Sequence, residues 1–364
     1  MSKVSGVSPR KKSTPKWHRP LLVALFVVLN IAVIVATAVS EFGNSQTAAE
    51  LSEVHINWWL LIPAVICFIL ATFFNVLKYV IMMQGAYGKG TAPRRKDIWR
   101  IAWRTVMLGK YYDNVTPAAV GGQPFQILYM RRNSGLTHGY TTSIPFVGMI
   151  AGQIGFLIIA IFCFLFGGVF DENPALLVTA WVGLLVYAFW PVMVAGISFF
   201  PKATAKLLQV GVKMLAKIKI VKHRAQTLEK VETEVAEYAD AIKMIMKTRG
   251  LFLKTIVLAT LFQFLISIIP YFVLEAFGGD MDFFKCLATT MAVTSAVYFV
   301  PTPGNSVAAE GTFFAVFSSL STGYVFWAML MWRFFSYYIY IIIGPLIYLK
   351  MRLEKKRRSN KNEV

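Results

Sequence analysis

Two ionisable residues lie deep inside apolar stretches of this sequence, where a charge requires either a partner or a ligand. Arg333 lies about ten residues into the stretch 324–349, and Glu310 follows a Pro-Gly break in the stretch 283–320. At about 1.5 Å per residue, Arg333 is expected near the middle of a hydrocarbon core, too deep to extend to water. We expect it to meet Glu310 or, as the second acidic candidate, Asp113. Its planar guanidinium suits phosphate as well as carboxylate, so two interpretations stay open: a structural ion pair, or an arginine that exchanges between Glu310 and a phosphate.

The two breaks in the apolar pattern resemble each other in composition. The first runs from 111 to 125 and the second from 300 to 313, and each places Pro and Gly beside amide or acidic residues. Proline removes a backbone donor and glycine loosens a helix, so both breaks leave backbone groups that lipid cannot satisfy. Such matching interruptions in two halves of a membrane protein point to a binding site. The amide side chains expected to bind exposed backbone or a headgroup there are Asn114, Gln123 and Asn305. Arg131, after the first break, either marks topology or binds an anionic headgroup.

Signatures of soluble enzymes and of metal sites are missing from the sequence. It contains no P-loop, no HExxH and no Ser-His-Asp spacing, so no catalytic residue is predicted. The three cysteines, Cys67, Cys163 and Cys286, are far apart and lie in or beside apolar segments, and the four histidines are equally scattered. We therefore predict neither a metal nor a cofactor. The net charge of +19 could indicate nucleic acid, but the basic residues flank apolar stretches, so no nucleic-acid binding is expected.

The composition is that of an all-α polytopic membrane protein. The chain is 57% hydrophobic and only 15% charged, whereas a soluble domain carries roughly 25% charged residues. Stretches near ~20 apolar residues can cross a bilayer, and six are found, at 20–40, 58–83, 141–168, 175–200, 251–277 and 324–349. The first is longer than a signal-peptide core and is interpreted as an uncleaved span.

Lys78 lies about one turn from the end of its span, which favours extension of its side chain to the interface.

The distribution of basic residues predicts which side each loop faces. The tail 1–19, the loop 89–110 and the segment 201–250 are basic and expected in the cytoplasm, as is the tail 351–364, whereas the loop 41–57 is acidic. The broken stretches 107–128 and 283–320 must then return to the side from which they start, as two re-entrant hairpins from opposite faces. The domain 20–350 would thus contain two inverted span–hairpin–span units, with 201–250 as an amphipathic cytoplasmic insert.

The order of the short motifs resembles the transmembrane family of lysylphosphatidylglycerol synthases. The matching residues are Asn114-x-x-Pro117, then Gly121-Gly122-Gln123-Pro124-Phe125-Gln126, and finally Pro303-Gly304 with Glu310 before the last span. The resemblance covers about 20–350 and includes the membrane region of the multiple peptide resistance factor. In the family that this sequence resembles, full-length members make lysylphosphatidylglycerol from lysyl-tRNA in a soluble C-terminal domain. Their N-terminal membrane part then moves this lipid across the membrane. This chain is similar to the membrane part alone, and Asn305-Ser306 departs from the usual Pro-Gly-Gly-x-Gly pattern.

This resemblance implies a flippase-like protein of the bacterial cell membrane with both termini cytoplasmic. Its expected cargo is lysylphosphatidylglycerol or another phosphatidylglycerol-type lipid, and its expected partners are anionic or lysylated phospholipids. The alternative is phosphatidylglycerol lysyltransferase activity, or a membrane subunit working with a separate soluble synthase, which would contribute to resistance against cationic peptides. A structural membrane scaffold would account for the insert but would leave the intramembrane polar motifs unexplained.

Overall fold

Helices make up all the regular structure of the residues that the computed structural model describes. These residues are 56–87, 92–116, 121–166, 174–200, 248–297, 300, 305–319 and 324–362, with scattered residues between 202 and 243. The helices are, in chain order, α1 (Trp58–Ala86), α2 (Arg95–Val115), α3 (Gly122–Asn133), α4 (His138–Phe166), α5 (Pro174–Phe199), α6 (Arg249–Ser267), α7 (Ile269–Ala276), α8 (Phe283–Val297), α9 (Ser306–Phe317), α10 (Val325–Arg333) and α11 (Ile339–Asn362), with a π-helical turn, Phe334–Tyr338, between the last two.

In the described part of the chain, four helical stretches are long and apolar enough to cross a membrane. They are Trp58–Ala86, His138–Phe166, Arg249–Ala276 and Val325–Glu354, and they coincide with four of the six predicted spans. The prediction of an all-α polytopic membrane protein is thereby confirmed. Helix α5 corresponds to the predicted span 175–200 and contains a shorter apolar stretch, Val178–Met193. The predicted span 20–40 and the tail 1–19 lie outside the described residues, as does most of the insert 201–250, so these domain boundaries stay predictions.

Backbone contacts at the helix ends show that α1 runs antiparallel to α6 and α7. At one end of the bundle, the amide of Asn57 donates to Ala276 O at 3.0 Å, so the start of α1 meets the end of α7. At the other end, the side chain of Leu251 packs over Gly85, so the end of α1 meets the start of α6. We call the first end the Asn57 end and the second the Tyr87 end.

Each pair of helices between two spans returns to the end from which it started. The Tyr87 hydroxyl, which follows α1, donates to Ser134 O at 2.6 Å, so the hairpin α2–α3 begins and finishes at the Tyr87 end. The amide of Tyr324 donates to Phe277 O at 3.1 Å, so the hairpin α8–α9 begins and finishes at the Asn57 end. The described residues therefore form two span–hairpin–span units of opposite orientation, as the loop charges predicted.

The two units pack reciprocally, because the hairpin of each contacts the last span of the other. Helix α2 packs against α11, and α8 packs against α4, while α1 and α6 form the central contact. Small residues allow close approach at these crossings: Gly155 of α4 lies where a Cβ atom would be 2.9 Å from the Thr260 backbone. The face of α1 that is not packed against other helices exposes large apolar side chains such as Ile66, Ile69 and Phe73. Such a surface is expected where lipid covers the protein.

Candidate functional site

The expected pair of Arg333 and Glu310 is present in the interior of the protein. Arg333 ends α10 and Glu310 lies in the middle of α9, and the two side chains are only 5% and 0% exposed. Arg333 Nε lies 3.4 Å from Glu310 Oε1. Within the described part of the chain, neither carboxylate oxygen of Glu310 accepts a hydrogen bond. The pair is thus an electrostatic contact without hydrogen-bond geometry, which leaves the carboxylate able to accept further donors.

Aromatic rings enclose the guanidinium of Arg333. Its Cζ lies 4.6 Å from the centre of the Trp332 ring and 5.9 Å from that of Tyr337. Trp332 in turn stacks on Phe313 of α9 with ring centres 4.6 Å apart. These rings exclude water from the charged pair and contribute cation–π attraction that strengthens where water is absent.

A π-helical turn directly after Arg333 joins this pair to the first break. In a π turn the hydrogen-bond ladder is displaced, and such turns recur at functional sites. Asn114, near the end of α2, donates from Nδ2 to Tyr337 O at 3.2 Å, and the Tyr337 hydroxyl donates back to Asn114 O at 3.4 Å. The π turn therefore links Asn114, the amide predicted at the first break, to the Arg333–Glu310 pair of the second unit.

Asp113 has a local role at the start of α3. Its Oδ1 accepts a hydrogen bond from Gly122 N at 2.9 Å, and the neighbouring Gly121 N donates to Thr116 Oγ1, also at 2.9 Å. These bonds satisfy the first amides of α3 and place a carboxylate at the positive end of the helix. A side chain at Gly122 would collide with the Asp113 carboxylate, so the motif glycine is explained by this close approach.

The remaining predicted site residues lie around this centre or away from it. Gln123 is half-buried beside Gly122, and Asn305 takes a left-handed conformation (φ 53°) at the start of α9, five residues before Glu310. Arg131 is exposed in the last turn of α3, and its Nε donates to Nδ1 of His138. Arg131 is therefore separated from the Arg333 pair and sits where the chain enters α4. Residues 117–120 and 301–304, which include Pro117, Pro301 and Pro303, are outside the described residues.

Two functional-site candidates differ from the sequence analysis. Lys78 was expected to extend to the interface, but it is only 4% exposed and its Nζ donates to Gly148 O at 3.1 Å, so that interpretation is wrong. Gln126 was not singled out, yet it is buried and its Oε1 accepts a hydrogen bond from the Tyr79 hydroxyl at 3.0 Å. Gln126 lies three residues after Gln123 in the same motif, and residues at this spacing are neighbours on one face of a helix. That spacing could have identified Gln126 as a second candidate from the sequence.

Polar side chains join α2 to α11 at two levels. Arg104 Nη2 contacts Glu354 Oε1 at 2.7 Å near the Tyr87 end, and the hydroxyls of Tyr112 and Tyr348 are hydrogen-bonded further in. The last link is the contact between Asn114 and the π turn. No group of three or more His, Cys, Asp or Glu side chains that could hold a metal ion occurs in the described residues.

Comparison with known proteins identifies the family. Residues 21–344 match the family model described as the lysylphosphatidylglycerol synthase TM region. Comparisons with curated proteins and with solved structures give no match. The matched range includes the first unit, both breaks, the Arg333–Glu310 pair and the second unit as far as the start of α11, so this membrane protein belongs to the lysylphosphatidylglycerol synthase transmembrane-region family.

Proposed function

We propose that this protein translocates phospholipid across the bacterial cell membrane, with lysylphosphatidylglycerol or another phosphatidylglycerol-type lipid as its cargo. The observation that carries the proposal is the buried Arg333–Glu310 pair, which contacts the first unit through Asn114 and the π turn. A charged pair at membrane depth is costly, with roughly 2.5–3.5 kcal/mol per charge on insertion scales, so a role beyond packing is expected.

The chemistry of the proposed step is an exchange of ion pairs. The phosphodiester of the lipid takes the guanidinium of Arg333, for which planar donors are well suited. Glu310 is then released, and the ammonium groups of a lysylated headgroup provide it with new donors. While a lysylated headgroup is bound, the phosphate is paired with Arg333 and one ammonium group with Glu310, so neither charge of the protein's own pair is left isolated in lipid. The acyl chains remain in the bilayer while the headgroup crosses between the two hairpins.

The test is movement of fluorescent lipids in vesicles that contain the purified protein. Phosphatidylglycerol, its lysyl ester and a neutral lipid are compared for the wild type, Arg333→Ala and the control Arg352→Ala, whose side chain is exposed on α11. We expect selective translocation that Arg333→Ala abolishes and Arg352→Ala preserves. Equal movement in the wild type and in Arg333→Ala would refute the proposal.

The proposed orientation has both termini and the Tyr87 end of the bundle in the cytoplasm. The basic loop at 89–110 supports this assignment through the positive-inside rule. Cysteines introduced at 114 and 305 should react with impermeant reagents from opposite sides, because the hairpins start at opposite ends. Labelling of both from one side would contradict the assignment.

The second candidate is phosphatidylglycerol lysyltransferase activity, or a membrane subunit of such an enzyme with a separate soluble synthase as partner. The family description names a synthase, which is the observation in its favour. Purified protein incubated with charged lysyl-tRNA and phosphatidylglycerol would yield lysylphosphatidylglycerol if the chain acts alone. Either function would contribute to resistance against cationic peptides, so resistance by itself does not separate them.

A further inference from the structure

The first unit contains a buried cation that has no acidic partner among the residues that the structure describes. Lys78 is 4% exposed, and its ammonium, which has three donors, contacts Gly148 O and lies 5.4 Å from the centre of the Tyr79 ring. No described carboxylate lies within ion-pair distance of its Nζ. A buried ammonium without an anion is costly, so an anion from outside the chain would stabilise it.

The two units place corresponding groups at this position. Gln126 is the fifth residue of α3, Glu310 is the fifth residue of α9, and both are buried. The cation of the second unit, Arg333, ends α10, while Lys78 lies against Gly148 at a similar distance into α4. The second unit therefore pairs its cation with a carboxylate, whereas the matching position of the first unit holds a neutral amide, which accepts a hydrogen bond from Tyr79, the residue next to Lys78.

A second lysine increases the positive charge of this region. Lys110 is half-buried on α2, one turn before Asn114, with its Nζ 5.5 Å from the centre of the Phe262 ring. It interacts electrostatically with both Lys78 and Asp113. Among the described residues, the acidic group that interacts with Lys110 is Asp113, whose carboxylate accepts a hydrogen bond from the amide of Gly122. Two ammonium groups thus face one carboxylate, an excess that favours an anionic ligand.

We propose that Lys78 and Lys110 form an anion-binding subsite that receives the phosphodiester of a phospholipid headgroup. This inference rests on the proposed function and adds a second phosphate position to it. Lys78 lies eight residues from the Tyr87 end of α1, and Arg333 lies eight residues from the start of α10 at the Asn57 end. Each is therefore about 12 Å from an opposite end of the bundle. A headgroup that crosses would pass from one cation site to the other, along the face of α2 that carries Lys110 and Asn114.

The test measures equilibrium binding of water-soluble dihexanoyl-phosphatidylglycerol to the full chain in detergent. The variants are Lys78→Met, Lys110→Met and Gln126→Glu, and the matched control is Lys254→Met, an exposed lysine of α6. Loss of one charged contact should weaken binding about tenfold or more. Gln126→Glu keeps both lysines but places a carboxylate in the first unit at the position that matches Glu310 in the second unit. This negative charge should repel the phosphodiester, so the variant should weaken binding as well. Lys254→Met should bind as the wild type does.

The outcomes separate this inference from the proposed function. Wild-type affinity in both lysine variants would overturn the subsite, even if the wild type translocates lipid and Arg333→Ala does not. Lysine-dependent binding without translocation by the wild type would support the subsite and contradict the function. Binding of inorganic phosphate but not of the lipid would overturn the lipid assignment. Elution and thermal unfolding of each variant in the same detergent show whether it is folded, and Lys110→Met tests the site where Lys78→Met is unstable.

Discussion

The Arg333–Glu310 pair allows a quantitative prediction, because replacing one partner and replacing both should have opposite consequences. At 3.4 Å and an effective dielectric constant near 20, the attraction is about 5 kcal/mol. Glu310→Met leaves a buried guanidinium that stays charged, and it should destabilise the protein by about 3–5 kcal/mol. Arg333→Met should cost less, since the remaining carboxyl group can become neutral. The double variant should lie close to the wild type, because two apolar side chains need no partner.

The assay is unfolding of the purified protein by sodium dodecyl sulfate in mixed micelles, with Lys254→Met as the control. Because the double variant should resemble the wild type while Glu310→Met alone costs about 3–5 kcal/mol, the cycle should give a coupling energy of at least about 3–5 kcal/mol between the two sites. If the effects of Glu310→Met and Arg333→Met add to within about 0.5 kcal/mol, the two residues are independent and the reasoning is refuted. The double variant also separates structure from transport: if it is as stable as the wild type and still translocates lipid, the pair is not needed for transport.

Two further predictions concern the first hairpin and use the same unfolding assay. Asn114→Leu removes the donor to Tyr337 O and leaves a buried carbonyl, so stability should fall by about 1–3 kcal/mol and translocation should slow; unchanged values would show that the π turn does not depend on this bond. Gly122→Ala forces the Asp113 carboxylate away from the start of α3 and should cost about 1 kcal/mol, whereas Gly152→Ala, with open space around it, should be neutral or stabilising. Equal effects of Gly122→Ala and Gly152→Ala on stability would contradict the capping role of Asp113 at the start of α3.

Several features of the fold followed from the sequence because they depend on local composition. Hydropathy alone located the spans that became α1, α4, α6–α7 and α10–α11. The basic loops required two hairpins that return to their own side, and the contacts of Tyr87 and Tyr324 show that arrangement. The partner of Arg333 was predicted because an arginine at that depth needs an acid, and Glu310 was one of only two candidates.

Other features depended on which helix faces met, and the sequence could not supply them. The predicted span 58–83 placed Lys78 about one turn from its end, and that position favoured extension of the side chain to the interface. In the structure α4 covers this face of α1 and provides Gly148 O, which holds the ammonium inside. The buried position of Gln126 depends on Gly109 of α2, which has no side chain and so lets the Gln126 side chain pack directly against α2. The sequence of α3 alone does not show this contact.

The sequence by itself determined the membrane class, the family, the two breaks and the charges that require partners, because these follow from composition, spacing and the cost of charge in lipid. The tertiary structure decided how those charges were distributed. It paired Arg333 with Glu310, used Asp113 as a helix cap, and held the ammonium of Lys78 on the backbone carbonyl of Gly148. The physical reason is that ion pairs and hydrogen bonds form over a few ångströms, a scale set by helix packing and not by distance along the chain.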